Sequence, residues 1–243
     1  MRVTVRHYYD FGADRGIVGA DLVTPEAWDG LRTRTTGVFS IPRTREEFIR
    51  VAEARRDIAD RARAIDGWLA QQDARVVASY GVGGASLEWW LHRFRPDRRL
   101  ILSDYGEATV ERLAGLLPEV EVRNHDLRRD EPLPADLHLF HRIDTELSNP
   151  EWHDVFDRFG SASILLVAAE VLDAWKLLCE LRDRLLMKHH RASRAGFVRT
   201  RGALEALWES THASRPLRTH DLHAWSLTPK KPGTSRRSGT SAD

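Results

Sequence analysis

Apolar and polar residues alternate along this chain on two periods, and the places where one gives way to the other outline a succession of strands and helices. Short continuous apolar runs bounded by turn residues predict buried strands at 75–80, 99–103, 120–124, 137–141 and 163–169. Between them, apolar residues recur every three to four positions, which predicts helices over about 85–94, 106–117, 150–159 and 171–190. A last helix over 202–211 precedes two β-like runs, 216–219 and 222–228. Too few residues separate those runs for a crossover, so they pair as a hairpin and at least one runs antiparallel to the rest. Regular alternation implies a parallel sheet covered by helices on both faces, and right-handed crossovers make it doubly wound. The expected fold is α/β, a doubly wound, mostly parallel seven-stranded sheet with a C-terminal antiparallel hairpin, plus an N-terminal irregular or helical extension.

That extension is harder to read. Over the first forty residues, β-like pieces at 3–5 and 38–41 are interrupted by Gly, Pro and Asp. Thr44-Arg-Glu-Glu47 then has the form of a capping box, followed by Phe48, Val51, Ala52, Ile58, Ala62, Ile65 and Leu69 at helical spacing. This predicts a long amphipathic helix with a break near Gly67. The chain accordingly divides into an N-terminal extension with a lid-like helix (1–72), a Rossmann-like domain (73–230) and a tail (231–243) whose Ser, Thr, Gly and basic residues predict disorder.

Composition narrows the classes. A chain of 243 residues with 42% apolar residues builds one sizeable core with an accessory segment. The net charge of +1 gives no global reason to invoke nucleic acid or an anionic membrane. Charge is uneven locally: 182–201 is dense in Arg and Lys, carries His189 and His190, and has one acid, Asp183. It reads as a solvated helix end and loop, or as a loop that attracts an anionic substrate. Cys179 is the single cysteine, which excludes an internal disulfide and reads as inert helix packing. The N-terminus lacks the apolar run of a signal peptide and no apolar stretch is long enough to cross a bilayer, so a soluble cytoplasmic protein is the expectation. Self-association into a homo-oligomer stays open.

Candidate chemistry concentrates between Arg75 and Asp126. The first core strand ends in Ser79-Tyr80-Gly81-Val82-Gly83-Gly84-Ala85, where glycine frees the backbone to turn sharply and approach a ligand. The next strand ends at Asp104, about 20 residues further on, which in a βαβ unit sets a carboxylate opposite the turn, able to accept from both hydroxyls of a ribose. The segment reads as a nucleoside-binding half-site.

A doubly wound sheet ending in an antiparallel hairpin, with a glycine turn after its first strand, resembles the class I S-adenosylmethionine-dependent methyltransferases over about residues 75–230. The resemblance implies S-adenosylmethionine as cofactor and methyl transfer to a small-molecule acceptor. It implies contacts to the cofactor from Ser79, Tyr80, Gly81, Gly83, Asp104, Tyr105, Asp126 and Leu127. Asp104 falls where the family has its ribose-binding acid, Tyr105 where a side chain packs on adenine, and Asp126 where an acid meets the adenine amino group. Ser79 stands in the family's acidic place and Ala85 replaces its third glycine. The stretch 136–147 resembles the fourth strand and the segment after it, which lines cofactor and substrate.

Methyl transfer from a sulfonium is an in-line displacement that needs alignment and exclusion of water more than a strong catalytic signature. Where the acceptor must lose a proton, His141 and Asp144 are the candidate bases, each with an equally weighted structural role as backbone partner or turn cap. Tyr8, Tyr9, Arg191, Arg194 and Arg199 are candidates to touch substrate. Trp89, Trp90 and Trp175 read as core. His189, His190, His220 and His223 form no converging set, so no metal is expected. Three other functions compete: a nicotinamide-dependent reductase, which would want glycine where Ser86 stands; a methyltransferase-like protein that binds the cofactor without transferring methyl, or has lost it; and nucleic-acid methylation, resting on the basic loop and tail alone.

Overall fold

The computed structural model describes residues 1–10, 24–34, 37, 39–186 and 192–231. In chain order its elements are β1 (Thr4–Asp10), α1 (Pro25–Arg32), α2 (Arg45–Ala54), α3 (Arg56–Gln71), β2 (Val76–Tyr80), α4 (Ser86–Phe94), β3 (Arg99–Asp104), α5 (Glu107–Leu116) and β4 (Glu121–Asn124). They continue as β5 (Leu137–His141), α6 (Asn149–Arg158), β6 (Ile164–Val167), β7 (Val171–Leu172), α7 (Ala174–Leu186), β8 (Ala192–Thr200), α8 (Arg201–Trp208), β9 (His212–Thr219) and β10 (Leu222–Pro229).

Seven strands form one sheet in the order β4-β3-β2-β5-β6-β10-β9. The pairs from β4 to β6 are parallel, while β10 runs antiparallel to both β6 and β9. This is the expected doubly wound sheet with its closing hairpin. Strand composition explains the order. β2, β3, β5 and β6 are nearly unbroken apolar runs because both faces are covered, whereas β4 at one edge is half-exposed and polar. β9 forms the other edge, where Pro216 is tolerated because its missing N–H interrupts no interior ladder. Strand alternation splits the core in two. Val77, Leu100, Leu102, Leu137, Leu139 and Leu165 pack with α2, α3 and α4, while Ala78, Tyr80, Ile101, Phe140, Ile164 and Leu166 pack with α6 and α8.

The N-terminal region departs from expectation. The residues read as irregular contain β1 and α1, and β1 joins β8 and β7 in a second, three-stranded sheet. The basic stretch expected as a loop before Gly202 is the strand β8 over 192–200, antiparallel to β1. A sequence-local reading misses this pairing because its partner lies some 190 residues away in the chain. The long helix also breaks elsewhere. Thr44 Oγ1 caps α2 by accepting from the Glu47 N–H, but the chain leaves helical geometry at Arg55 (ψ 74°), and α3 runs unbroken through Gly67. Gly67 costs roughly 1 kcal/mol against Ala, and buried Ile58, Ala62, Ile65 and Leu69 on the same helix offset it. Trp89 is buried and Trp90 half-buried as expected, but Trp175 is 72% exposed on α7. His189, His190, Arg191 and 232–243 lie outside the described residues.

Candidate active site

The site grows from the carboxyl ends of β2, β3 and β5. β2 ends at Tyr80, and the chain turns through Gly81 (φ +62°) and Gly83 (φ +54°), backbone conformations that L side chains rarely adopt. A Cβ on Gly81 would stand 2.6 Å from Ile143 Cγ2, so the turn also needs glycine for room. Gly83 N–H donates to Asp104 Oδ2 at 3.1 Å, which faces the carboxylate at the end of β3 into the turn. Asp104 Oδ1 accepts from Gly106 N–H at 3.1 Å and from Arg32 Nη1 at 2.7 Å. The Asp104 side chain is wholly buried, and these donors are what let a carboxylate stand there.

Ser79 turns to the other face of β2. Its Oγ donates to Glu88 Oε1, 2.7 Å away in the first turn of α4, and both residues are buried. Burial raises the Glu88 carboxyl to about 7, the Ser79 hydroxyl opposes the rise and the nearby Asp104 charge adds to it.

Tyr80, Gly81, Tyr105, Asp126 and Leu127 all line one cleft, together with His125, Arg128, Ile143, Glu146 and Leu147. Five of the eight residues expected at a cofactor therefore share one surface, Gly83 and Asp104 are bonded to each other outside its lining, and Ser79 bonds Glu88. The Tyr105 ring lies under the Arg128 guanidinium, 5.2 Å from the centroid, and its buried hydroxyl has no hydrogen-bond partner among the described residues. Asp126 accepts from Arg128 N–H at 3.0 Å and pairs with Arg129, which stiffens the loop after β4.

Sequence reasoning missed α1, which packs beside this cleft against Tyr105, Glu146 and Asp104. Trp28 Nε1 donates to Glu146 at 3.2 Å, and Arg32 both stacks on Trp28 and pairs with Asp104. Asp29 accepts from the N–H groups of Ala108 (3.2 Å) and Thr109 (3.1 Å) and from Thr109 Oγ1 (2.6 Å), capping α5 from outside. The cleft is about 40 Å³, against the roughly 300–1,000 Å³ of small-molecule sites. The only local hint was the amphipathic run 25–32 behind Thr24, whose hydroxyl accepts from Ala27 N–H.

On the β5–β6 side the expected bases are kept apart. His141 lies on the α3 face of β5, its Nε2 has no hydrogen-bond partner among the described residues, and burial pushes the ring down to about 3, with Arg61 and Arg142 adding to the shift and Asp221 opposing it. Asp144 is buried on a different spur. Its Oδ1 accepts from Ala169 N–H at 2.6 Å, Oδ2 has no hydrogen-bond partner among the described residues, and burial raises the carboxyl to about 6. Neither lines the cleft. Glu146 does, and burial raises it to about 7, opposed by its bonds to Trp28 and Thr145 and by Arg32. Arg199, a candidate to touch substrate, is instead buried. It donates to Asn149 Oδ1 at 2.8 Å, to Leu147 O at 2.6 Å and to Asp144 O, and so holds 144–149 in place. Tyr8 lies opposite Arg194, and Tyr9 opposite Ser193, in the β1–β8 pair.

Solved structures share this fold. Human N-acetylserotonin methyltransferase in complex with SAM matches at a TM-score of 0.57 and 15% identity, over 90% of this chain and 65% of that one. The fold is that of the class I S-adenosylmethionine-dependent methyltransferases. An O-methyltransferase family protein from Burkholderia thailandensis matches this methyltransferase fold at a TM-score of 0.58 and 12% identity, over 87% of this chain and 64% of that one. PigF with SAH matches at 0.54 and 13%, over 65% and 51%. The chain thus spans between half and two thirds of the length of these three proteins. No protein-family model matches it, and no curated protein does either. No helix among the described residues is long and apolar enough to cross a membrane.

Proposed function

We propose that this protein binds S-adenosylmethionine over the carboxyl edge of the sheet and transfers its methyl group to a small-molecule acceptor. The observation that carries this reading is Asp104, whose buried carboxylate faces Gly83 N–H across a turn with no Cβ atoms at Gly81, Gly83 and Gly84. That cradle and carboxylate suit a ribose diol, and the Tyr105 ring, beside Asp126 and Leu127, offers an apolar face to a base. When bound, the cofactor supplies a methyl on a sulfonium that already carries positive charge, so the protein's task is alignment and exclusion of water.

On this reading Arg32 and the ribose compete for one carboxylate. Entry of the cofactor requires α1 to withdraw Arg32 from Asp104 and Trp28 from Glu146, which enlarges the 40 Å³ cleft. Where the acceptor must lose a proton, His141, Asp144 and Glu146 stand at the end of β5. Glu146 is best matched to neutral pH, since a base works best with a pKa near the operating pH and its carboxyl sits at about 7. It also lines the cleft, which the other two do not.

The small cleft and the Arg32–Asp104 pair favour a second reading, in which the fold has lost the cofactor and Arg32 fills the diol's place. Calorimetry with S-adenosylmethionine, S-adenosylhomocysteine and NADH separates the readings. The first expects both adenosyl ligands to bind and NADH not to. Binding of NADH alone would overturn it, and binding of none supports the second.

A further inference from the structure

Two buried carboxylates flank the glycine turn, and only one has a cation. Asp104 pairs with Arg32 at 2.7 Å, whereas no Lys or Arg among the described residues pairs with Glu88. Glu88 is 3% exposed and is held by the Ser79 hydroxyl. A carboxylate so deep is stable when a cation meets it and strained otherwise, because Coulomb attraction grows as water is excluded while the desolvation cost is already incurred. Its place is informative. Ser79 is the penultimate residue of β2 and Glu88 lies in the first turn of α4, so the pair forms the foot of the Gly81–Ala85 turn. Glu88 is also close enough to Asp104 for the two charges to repel. A ligand presenting a diol to Asp104 would need a cationic group a short way along to relieve Glu88.

We propose that Glu88, presented by the Ser79 hydroxyl, is the carboxylate that receives the ammonium of the cofactor's amino-acid end. A carboxylate borne on the helix takes the part that an acid at the strand's end would play, and Ser79 orients it. This rests on the reading that the site binds S-adenosylmethionine or S-adenosylhomocysteine. Among the described residues the Glu88 carboxylate accepts one side-chain hydrogen bond, from Ser79 Oγ to Oε1, which leaves its other oxygen to meet the ammonium. Removal of Arg32 on cofactor entry takes one positive charge from beside the pair, and the ammonium returns one.

The test compares two ligands that differ only in the amino-acid end: S-adenosylhomocysteine, and 5′-methylthioadenosine, which keeps the nucleoside and thioether and lacks the ammonium. Affinities are measured by calorimetry at pH 8 for the full chain and for Glu88→Gln, with circular dichroism to check folding. The expected result is about tenfold or greater loss of S-adenosylhomocysteine affinity in Glu88→Gln with methylthioadenosine changed less than about twofold. Equal losses for both ligands would make Glu88 a structural residue and overturn the proposal, as would an unchanged affinity for S-adenosylhomocysteine. A double variant, Ser79→Asp with Glu88→Gln, moves the acid to the strand's end and is expected to recover most of the lost S-adenosylhomocysteine affinity; absence of recovery in a folded protein counts against the proposal. If the unaltered protein binds neither ligand, the cofactor reading itself fails, an outcome distinct from either pattern above.

Discussion

The carboxyl edge of the sheet has two ends built on different principles. At the β2–β3 end, polar groups converge: Gly83 N–H, Gly106 N–H and the Arg32 guanidinium all meet the carboxylate of Asp104. At the β5–β6 end they diverge. His141 turns toward α3 and the hairpin, Asp144 ties down the Ala169 N–H, and Arg199 is spent on main-chain carbonyls, leaving Glu146 as the acid that faces the cleft. A converging set specifies a ligand by its own geometry, whereas a diverging set stabilises loops and leaves the acceptor to be chosen by shape. The β2–β3 end, proposed to hold the cofactor, is therefore the more sharply defined of the two.

The largest expected effect is at the converging end. Asp104→Ala should weaken S-adenosylhomocysteine by about a thousandfold, since two hydrogen bonds to a charged acceptor are worth roughly 1.5–3 kcal/mol each. A loss of less than about tenfold in calorimetry would dissolve the contrast between the two ends. Next is the pH dependence of Glu88. Its folded carboxyl sits at about 7, against about 4.3 unfolded, so the folded protein holds the proton more tightly. Stability from that proton is full below about pH 4.3 and is lost as pH rises through about 7. In urea titrations without ligand, Glu88→Gln should flatten this decline by about 4 kcal/mol across that window, using roughly 1.4 kcal/mol per unit. An unchanged slope would mean the group is not buried as described.

Glu146→Gln probes the diverging end. Methyl transfer to an accepted substrate should fall about a hundredfold, as expected on removing a general base, with S-adenosylhomocysteine affinity changed little. The same loss from His141→Ala with Glu146→Gln active would move the base to the α3 side. The smallest effect is at the helix that packs beside the first end. Arg32→Ala removes the guanidinium that competes for Asp104 and should tighten S-adenosylhomocysteine by about tenfold, because a closed state that must open reduces apparent affinity by its share of the population. Weaker binding in Arg32→Ala would instead make Arg32 a ligand contact.

Legibility in the sequence followed the range of the contacts. Gly81, Gly83 and Asp104 were readable because strand, turn, helix and next strand are contiguous, so the βαβ geometry carries the carboxylate to the turn without help from elsewhere. Tyr105, Asp126 and Leu127 were readable for the same reason and do line the cleft. Arg32, Trp28 and Glu146 were not. Arg32 is 72 residues from Asp104 and Trp28 is 118 residues from Glu146, and no local pattern announces such a partner. Arg199 misled in the opposite sense: an arginine in a basic stretch reads as surface, and only the pairing of β8 with β1 sinks it beneath Leu147. Trp175 misled likewise, since helical spacing marks an apolar stripe without saying whether a neighbour covers it.

By itself the amino-acid order determined the strand succession, the glycine turn and the acid that faces it, because apolar period, φ-permissive residues and βαβ spacing are properties of neighbours in the chain. Tertiary structure alone decided that α1 packs on Glu146 and Asp104, that β1 and β8 build a second sheet against 144–149, and that Ser79 holds Glu88. The physical reason is that a buried charge takes whichever donor folding brings within reach, and that choice depends on every element packed around it.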